Sequence, residues 1–355
     1  MAGLFKWCLF KDVDLDDSFF NSLKEDYAEF SQWFKKKSDE DAQALVFKDE
    51  SGIGAFLYLK EEDEAIELID TVIPSKRRLK IGTLRIDERY RRMRLGEGAI
   101  GVALWHWRDS GCEEVYVTVY EKHDLLIALF KEFGFSLVGH NRRGECIYVK
   151  NKKSIDFTNP CTAFPYIRNE FEFAGIIPIE DQYHDRLFPY SELKGVKEVE
   201  EDTAKNGIKK VFIAAPSSEV AYRNNEPVFM YRKHTGPGQR TYKSVITSFC
   251  TITNIMEIKS NGNNVVPFED FVSHAGNKTV YEEDELHNLY TNKRNILLIE
   301  MVYNGFFGRG HNVTHRALDE ANLFRDYPYN IIYTEKEFRA ILNMGGVNEH
   351  DIIAD

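Results

Sequence analysis

The chain has 355 residues, enough for two domains with separate cores. Hydrophobic residues make up 43%, which is ordinary for a globular protein and too many for a disordered one. The formal charge of −11, from 46 basic against 57 acidic residues, excludes a general pull toward nucleic acid, so any such binding needs a local basic face. No run of 18 apolar residues exists, so no membrane span is expected. The opening MAGLFKWCLFKDVDLDD turns acidic after a short apolar run, unlike a secretory signal. Cys8, Cys112, Cys146, Cys161 and Cys250 are dispersed and lack CxxC spacing, which predicts free thiols in a reducing cytoplasm.

Taken in order, Ser18 to Lys37 reads as one amphipathic helix with Phe20, Leu23, Tyr27, Phe30 and Phe34 on one side. AQALVFK and IGAFLYLK read as strands joined through Asp49–Gly52, whose composition suits a hairpin. EAIELIDTVI is ambiguous between strand and short helix, and a strand is preferred because LKIGTLRI follows as one.

The stretch from Leu79 to Phe135 carries the chemistry. It reads as strand, basic turn, helix, strand, helix. Arg89, Arg91, Arg92 and Arg94 crowd the turn, and Gly96 and Gly98 follow where a helix must start. Helix-start amides point outward unpaired, the aligned peptide dipoles favour negative charge there, and guanidinium groups match phosphate oxygens. The turn is therefore an anion seat. Ile100, Ala103, Leu104 and Trp107 form one apolar helix face, and Gly111 closes it. Trp105, His106 and Trp107 read as packing residues. Val115, Val117 and Val119 alternate with Tyr116, Thr118 and Tyr120 as a strand does. Asp124 is placed to cap a second helix, and Gly134 to stop it. SLVGHNRRGECIYVK closes the region as a hairpin turning at Asn141–Gly144.

Strand, Arg91-Arg92-Met93-Arg94-Leu95-Gly96, then helix resembles motif A of the GNAT acyl-CoA N-acyltransferases, and Leu129-Phe130 with Gly134-Phe135 resembles their motif B. The resemblance implies an α/β GNAT fold with a mixed central sheet over residues 1–150, and acetyl-CoA as cofactor. It implies cofactor contacts at Leu84, Arg85 and Ile86, at Arg91, Arg92, Met93, Arg94, Leu95, Gly96, Glu97 and Gly98, and at His123 and Phe130. Two positions depart from the family: Arg94 stands where the first motif glycine belongs, and Phe130 replaces the tyrosine that often protonates the leaving thiolate. The proton must then come from elsewhere, and Tyr120, Glu121 and His123 are the candidates, His123 first because histidine titrates near neutrality. Its alternative role is to replace the family asparagine or cap the helix.

Residues 151–170 lose periodicity, carry Pro160 and Pro165, and are expected to link to a second domain at 171–355. That half is strand-rich, with GIIPI, KVFIAAP, EPVFMYRKH, SVITSFCTITNIMEI and NILLIEMVY, and short helical patterns around FEDFVSHAG, EEDELHNLYTN and LDEANLFRD. Many short strands with few helices predict a small β-barrel. EPVFMYRKHTGPGQRTYKSVITSFCTITNI followed by NKRNILLIEM resembles the PUA-like barrels of the EVE and ASCH group, although the ASCH signature is absent. This implies an RNA-facing module, with Tyr231, Arg232, Lys233, His234, Arg240, Lys243 and Arg294 as contacts. Lys293, Arg309, Arg316 and Tyr242 are further candidates. His184 and His234 lack companions at metal-ligand spacing, so no metal is expected. Gly236-Pro237-Gly238 reads as a turn, and Glu200, Glu201 and Asp202 as a solvated charge run. The leading expectation is an acetyl-CoA-dependent N-acetyltransferase whose acceptor is an RNA-linked amine such as aminoacyl-tRNA. The alternative is a non-catalytic regulator that binds acetyl-CoA without turnover.

Overall fold

The computed structural model describes residues 4–191, 203–217 and 220–354. The charge run at Glu200, Glu201 and Asp202 lies outside them. The chain divides into two compact units, Met1–Ile155 and Asp156–Asp355.

In chain order the first unit holds β1 (Leu4–Leu9), α1 (Asn21–Asp26), α2 (Phe30–Asp39), β2 (Gln43–Asp49), β3 (Gly52–Glu62), the two-residue strands β4 (Ile66–Glu67) and β5 (Val72–Ile73), β6 (Arg78–Ile86), α3 (Leu95–Ser110), β7 (Glu114–Val119), α4 (Asp124–Glu132), β8 (Ser136–His140) and β9 (Cys146–Asn151). Its seven-stranded sheet runs β1-β2-β3-β6-β7-β9-β8. Only β6 and β7 are parallel, joined by the right length of crossover through α3. This is the mixed α/β sheet expected. The hairpin at Asn141–Gly144 is also present, with Gly144 donating to the Asn141 carbonyl at 3.0 Å and taking a φ of 79°. Trp105 and Trp107 are buried as packing residues.

The single helix expected over Ser18–Lys37 is broken. A 3-10 turn at Ser18–Phe20 leads into α1, the chain leaves helical geometry at Tyr27 (φ −133°), and α2 resumes at Phe30. A straight helix would hold residues fourteen apart at roughly 21 Å. Yet the Phe20 and Phe34 rings lie 5.4 Å apart. Both pack with Phe10, Phe30 and Phe56 in one aromatic cluster, so burial of these rings overrides helical periodicity. EAIELIDTVI forms only the short β4–β5 pair rather than a full strand.

The second unit holds α5 (Pro160–Ala163), β10 (Ile167–Arg168), β11 (Gly175–Glu180), α6 (Asp181–Leu187), α7 (Thr203–Asn206), β12 (Lys209–Ala214), β13 (Pro227–Lys233), α8 (Arg240–Lys243), β14 (Val245–Ser260), β15 (Asn263–Asn264), α9 (Phe268–Ala275), α10 (Glu283–Asn292), β16 (Ile296–Phe306), β17 (Val313–Thr314), α11 (His315–Glu320), α12 (Glu335–Met344), α13 (Glu349–Ile352) and β18 (Ile353–Ala354). Its main sheet runs β11-β13-β14-β16-β12, with β11 and β13 parallel. The sequence-predicted strands of this half are all present. The closed barrel is not: among the described residues, no strand pairing joins β11 to β12. Three register shifts along the β14–β16 ladder bend the long strand without bringing its sheet full circle. The segment 151–170, expected as linker, holds α5 and β10, and β10 pairs in parallel with β18. Among the described residues, no helix is long and apolar enough to cross a membrane, and the five cysteines are free.

Candidate active site

The parallel pair β6–β7 is short. It pairs Arg78 through Ile81 with Glu114 through Val117 and then stops. Beyond that point, Gly82 falls at a register shift, Thr83 to Ile86 keep only β3 as ladder partner, and Thr118 and Val119 keep only β9. The two strands splay, and between them opens a cleft of about 620 Å³. Its base is tied by Arg78, a fully buried guanidinium that donates to Glu114 Oε2 at 2.6 Å and to the carbonyls of Glu64 (3.1 Å) and Pro74 (2.9 Å). Such a pinned end beside an unpaired end is what a V-shaped opening requires. The freed backbone edge of Gly82–Ile86 can hydrogen-bond an extended ligand.

Register decides which side chains face which side. Phe47, Ala55 and Ile86 stand opposite one another on β2, β3 and β6, as do Val46, Phe56 and Arg85. Cross-strand partners share a face. The first set packs on Leu95 at the start of α3; Val46 and Phe56 of the second pack among Phe19, Phe20, Phe30 and Phe34. Leu84 and Arg85 line the cleft, as do Tyr120 and His123 from the far side. Ile86 instead meets α3, where a Cβ added to Gly96 would lie 3.8 Å from its Cγ1.

The basic turn is built differently from its sequence reading. Arg94 takes a left-handed backbone, φ 57° and ψ 18°, at the N-cap of α3. That is the conformation glycine adopts without steric penalty, so the glycine of the family motif is replaced by an arginine that accepts the strain. Its guanidinium donates to Glu97 at 2.7 and 3.1 Å, both side chains being buried. Arg89 is likewise spent on protein: it donates to Asp87 (2.8 Å) and to the carbonyls of Ser51 (2.7 Å) and Ile53 (3.2 Å). Arg91 and Arg92 are exposed, Arg91 paired to Glu88. Met93 is half-buried, Leu95 and Gly98 are buried, and Gly98 N–H already donates to the Arg94 carbonyl at 3.1 Å. The amides of Leu95 and Gly96 belong to the first helical turn, which has no intrahelical acceptor to offer them. A Cβ at Gly96 would meet only Leu129 at 3.6 Å and Ile86 at 3.8 Å, ordinary contact distances. The fold therefore does not demand glycine here. The turn does not line the cleft; it follows Ile86 at the end of β6.

At the other wall, His123 is the N-cap of α4 but makes no side-chain capping bond. Its pKa is lowered, first by withdrawal of the ring from water and then by the charge of Lys122, so the neutral imidazole prevails at pH 7. The Tyr120 ring lies 5.8 Å from that of Tyr27, with the Lys122 ammonium 5.7 Å from its centroid. Glu121 is exposed and turned away from the cleft, its Oε1 3.4 Å from His140 Nε2 and 3.9 Å from Cys146 Sγ. The structure thus brings Tyr120 and His123 together and leaves Glu121 out. Phe130 is fully buried, its ring 5.0 Å from Phe135, and serves the core rather than a ligand surface.

Sequence reasoning missed the opposite rim. The α1–α2 break places Tyr27 in the cleft wall, donating from its hydroxyl to Glu145 Oε1 at 2.8 Å. Asn141 Nδ2 donates to the other Glu145 oxygen at 2.7 Å. Arg143 and Glu29 pair at 2.7 Å, and Lys122 and Asp26 at 2.6 Å. The signal lay in polar residues at the seam of a supposedly continuous helix, and helical periodicity hid it.

In the second unit, Tyr231, Arg232 and His234 point inward. Tyr231 is buried with its hydroxyl 3.0 Å from His315 Nδ1. Arg232 donates to both oxygens of Asp185 at 2.7 Å, and His234 Nδ1 lies 2.9 Å from Asp181. His184 is fully buried between Asp185 (2.9 Å) and Thr247 (2.7 Å). Lys233, Arg240, Lys243 and Arg294 are exposed.

Residues 11–135 match the acetyltransferase (GNAT) family. No curated protein matches the chain. Among solved structures, an acetyltransferase of the GNAT family from Streptococcus pneumoniae is 17% identical over 42% of this chain and 99% of its own, with a TM-score of 0.32. The PaiA N-acetyltransferase of Thermoplasma acidophilum, solved in complex with coenzyme A, is 16% identical over 42% of this chain and 99% of its own, also with a TM-score of 0.32. The cleft and the turn fall within the matched residues, apart from its hairpin rim at Asn141–Glu145. The first unit carries an acetyltransferase (GNAT) domain over residues 11–135.

Proposed function

We propose that the first unit transfers the acetyl group of acetyl-CoA to a primary amine bound in the β6–β7 cleft. The observation that carries this reading is the parting of β6 from β7 after Ile81 and Val117, with α3 starting at Leu95 shortly after β6 ends. Acetyl-CoA supplies the activated acyl group as a thioester. The amides of Leu95 and Gly96, flanked by exposed Arg91 and Arg92, hold its diphosphate, and the free edge of Leu84–Ile86 aligns the pantetheine arm and offers N–H groups to the thioester oxygen. His123, neutral at pH 7, takes the proton from the attacking amine as the C–N bond forms and the C–S bond breaks. Tyr120, in the same wall, protonates the departing thiolate. Arg94 and Glu97 shape the turn from within, and Phe130 packs against Phe135 in the core.

Calorimetry with Gly96→Asp tests this reading. Space at the Cβ permits the side chain, and a carboxylate suits a helix start. The expected result is a folded protein with no measurable heat from acetyl-CoA, because the new negative charge repels the diphosphate. Unchanged affinity removes the site.

Recruitment of an RNA-linked acceptor by the second unit draws its support from the exposed Lys233, Arg240, Lys243 and Arg294. Thiol release with cell extract that falls on RNase treatment is the expected result for that extension; insensitivity to RNase points to a metabolite or protein amine.

A further inference from the structure

From the cleft wall opposite the α3 start, we infer that Arg85 forms an anion-reading subsite, so that the acceptor carries a carboxylate or phosphate ester near its amine. The inference rests on the transferase reading and deepens it. Arg85 lines the cleft, and its Nε and Nη1 are buried without a hydrogen-bond partner among the described residues. Among the described residues it forms no ion pair either, although Asp87, Glu88, Asp26 and Glu25 lie close enough to act through their fields. Three of those acids are already committed: Asp87 to Arg89, Glu88 to Arg91, and Asp26 to Lys122. The guanidinium carbon lies over the Phe19 ring, 4.9 Å from its centroid, which holds the charged group at this wall.

Position separates this subsite from the cofactor. Arg85 shares the face of Phe56, on the α1–α2 side of the sheet, whereas its neighbour Ile86 faces the α3 start. A ligand group met by Arg85 is therefore not the diphosphate at Gly96. A half-buried guanidinium with two unmet donors is costly unless a ligand completes it, and the group's planar donors suit the oxygens of a carboxylate or phosphate. Burial also lowers the Arg85 pKa, as expected for a cation deprived of water and a direct counter-ion.

The test measures dissociation constants by ligand-observed NMR for matched amines on the full chain: β-alanine against β-alaninamide, and O-phosphoethanolamine against ethanolamine. For wild type the charged member of at least one pair is expected to bind about tenfold tighter or more. The pair that shows the larger ratio identifies carboxylate or phosphate as the source. Arg85→Gln is expected to abolish the ratio and Arg85→Lys to retain part of it, since lysine keeps the charge but loses the planar fork. Equal or undetectable binding of both members to wild type overturns the inference, as does a ratio that survives in Arg85→Gln. A loss of acetyl-CoA affinity in Arg85→Lys overturns it too, by assigning the side chain to the cofactor. A ratio that depends on Arg85 without thiol release from acetyl-CoA keeps the subsite and removes the transferase reading instead.

Discussion

Each unit gathers titratable side chains, and the two arrangements differ in one respect. In the second unit, His184, Asp185, Arg232, Asp181, His234 and Thr247 form a closed network in which each named group has a partner, beginning with a His184 that is fully buried. Thr247, His184 and Asp185 stand in the order of a nucleophile, a base and its orienting acid. His184 and Thr247 are both fully buried, so the set is shut off from solvent. In the first unit, the cleft holds Arg85 with donors unmet and His123 without a capping bond. The difference teaches that residue types alone do not make a site. Groups left incomplete beside a void do, and here the void exists because two parallel strands stop pairing.

The comparison breaks most sharply at His123. His123→Ala is expected to cut turnover by roughly 10²–10⁴, the usual contribution of a general base, with acetyl-CoA affinity retained. Steady-state thiol release checks it, and a rate within twofold of wild type withdraws the role. Because the pKa of His123 is lowered, its base form is present at neutral pH, and the acid limb of kcat/KM should fall below the ordinary histidine value of about 6.5.

On the other side of the comparison, Asp185→Ala leaves Arg232 without its bidentate partner and His184 without an acceptor. Breaking a buried pair by removing one member costs about 3–5 kcal/mol. Denaturant unfolding followed on the second unit should show that loss, while acetyl-CoA binding by the first stays intact. A drop below 1 kcal/mol would mean that the network is less closed than its distances imply. Burial pushes the Asp185 carboxyl up, but the hydrogen bonds from Arg232 and His184 outweigh it and hold it below the usual carboxylate range. Its stabilising effect is thus complete above the unfolded carboxylate value near 4 and is lost as pH falls through the lower folded one.

Smaller effects test the cleft rim. Tyr27→Phe removes the hydroxyl that donates to Glu145, and a hydrogen bond to a charged group contributes about 1.5–3 kcal/mol. Burial first, then that hydrogen bond, raises the Tyr27 pKa, so the phenol remains the donor throughout the neutral range. Thermal unfolding of the first unit measures the loss. Lys122→Ala, which breaks a partly exposed pair with Asp26, should cost only about 0.2–1 kcal/mol and less at high salt.

The sequence alone determined the elements whose patterns are local. Alternation marked β7, Gly111 and Gly134 marked helix ends by their positive φ, and the Asn141–Gly144 turn marked the β8–β9 hairpin. The strands of the second unit were equally legible, because buried strands are short apolar runs between turn residues. What the tertiary structure decided was everything that depends on partners far apart in the chain. The break between α1 and α2 follows from Phe20 and Phe34 converging on Phe10 and Phe56. Arg94 was legible as a departure from the family turn, but only the backbone revealed that it occupies the left-handed position itself, with Glu97 three residues on to hold it. Arg232 and His234 read as surface cations until Asp185 and Asp181, about fifty residues away in sequence, claimed them. Arg85 read as one residue of an edge strand, and register alone set it on the face of Phe56, opposite the α3 face that Ile86 takes. Local pattern fixes which residues alternate or recur; which of them end with a partner, and which with none, is settled only when distant segments compete for the same space.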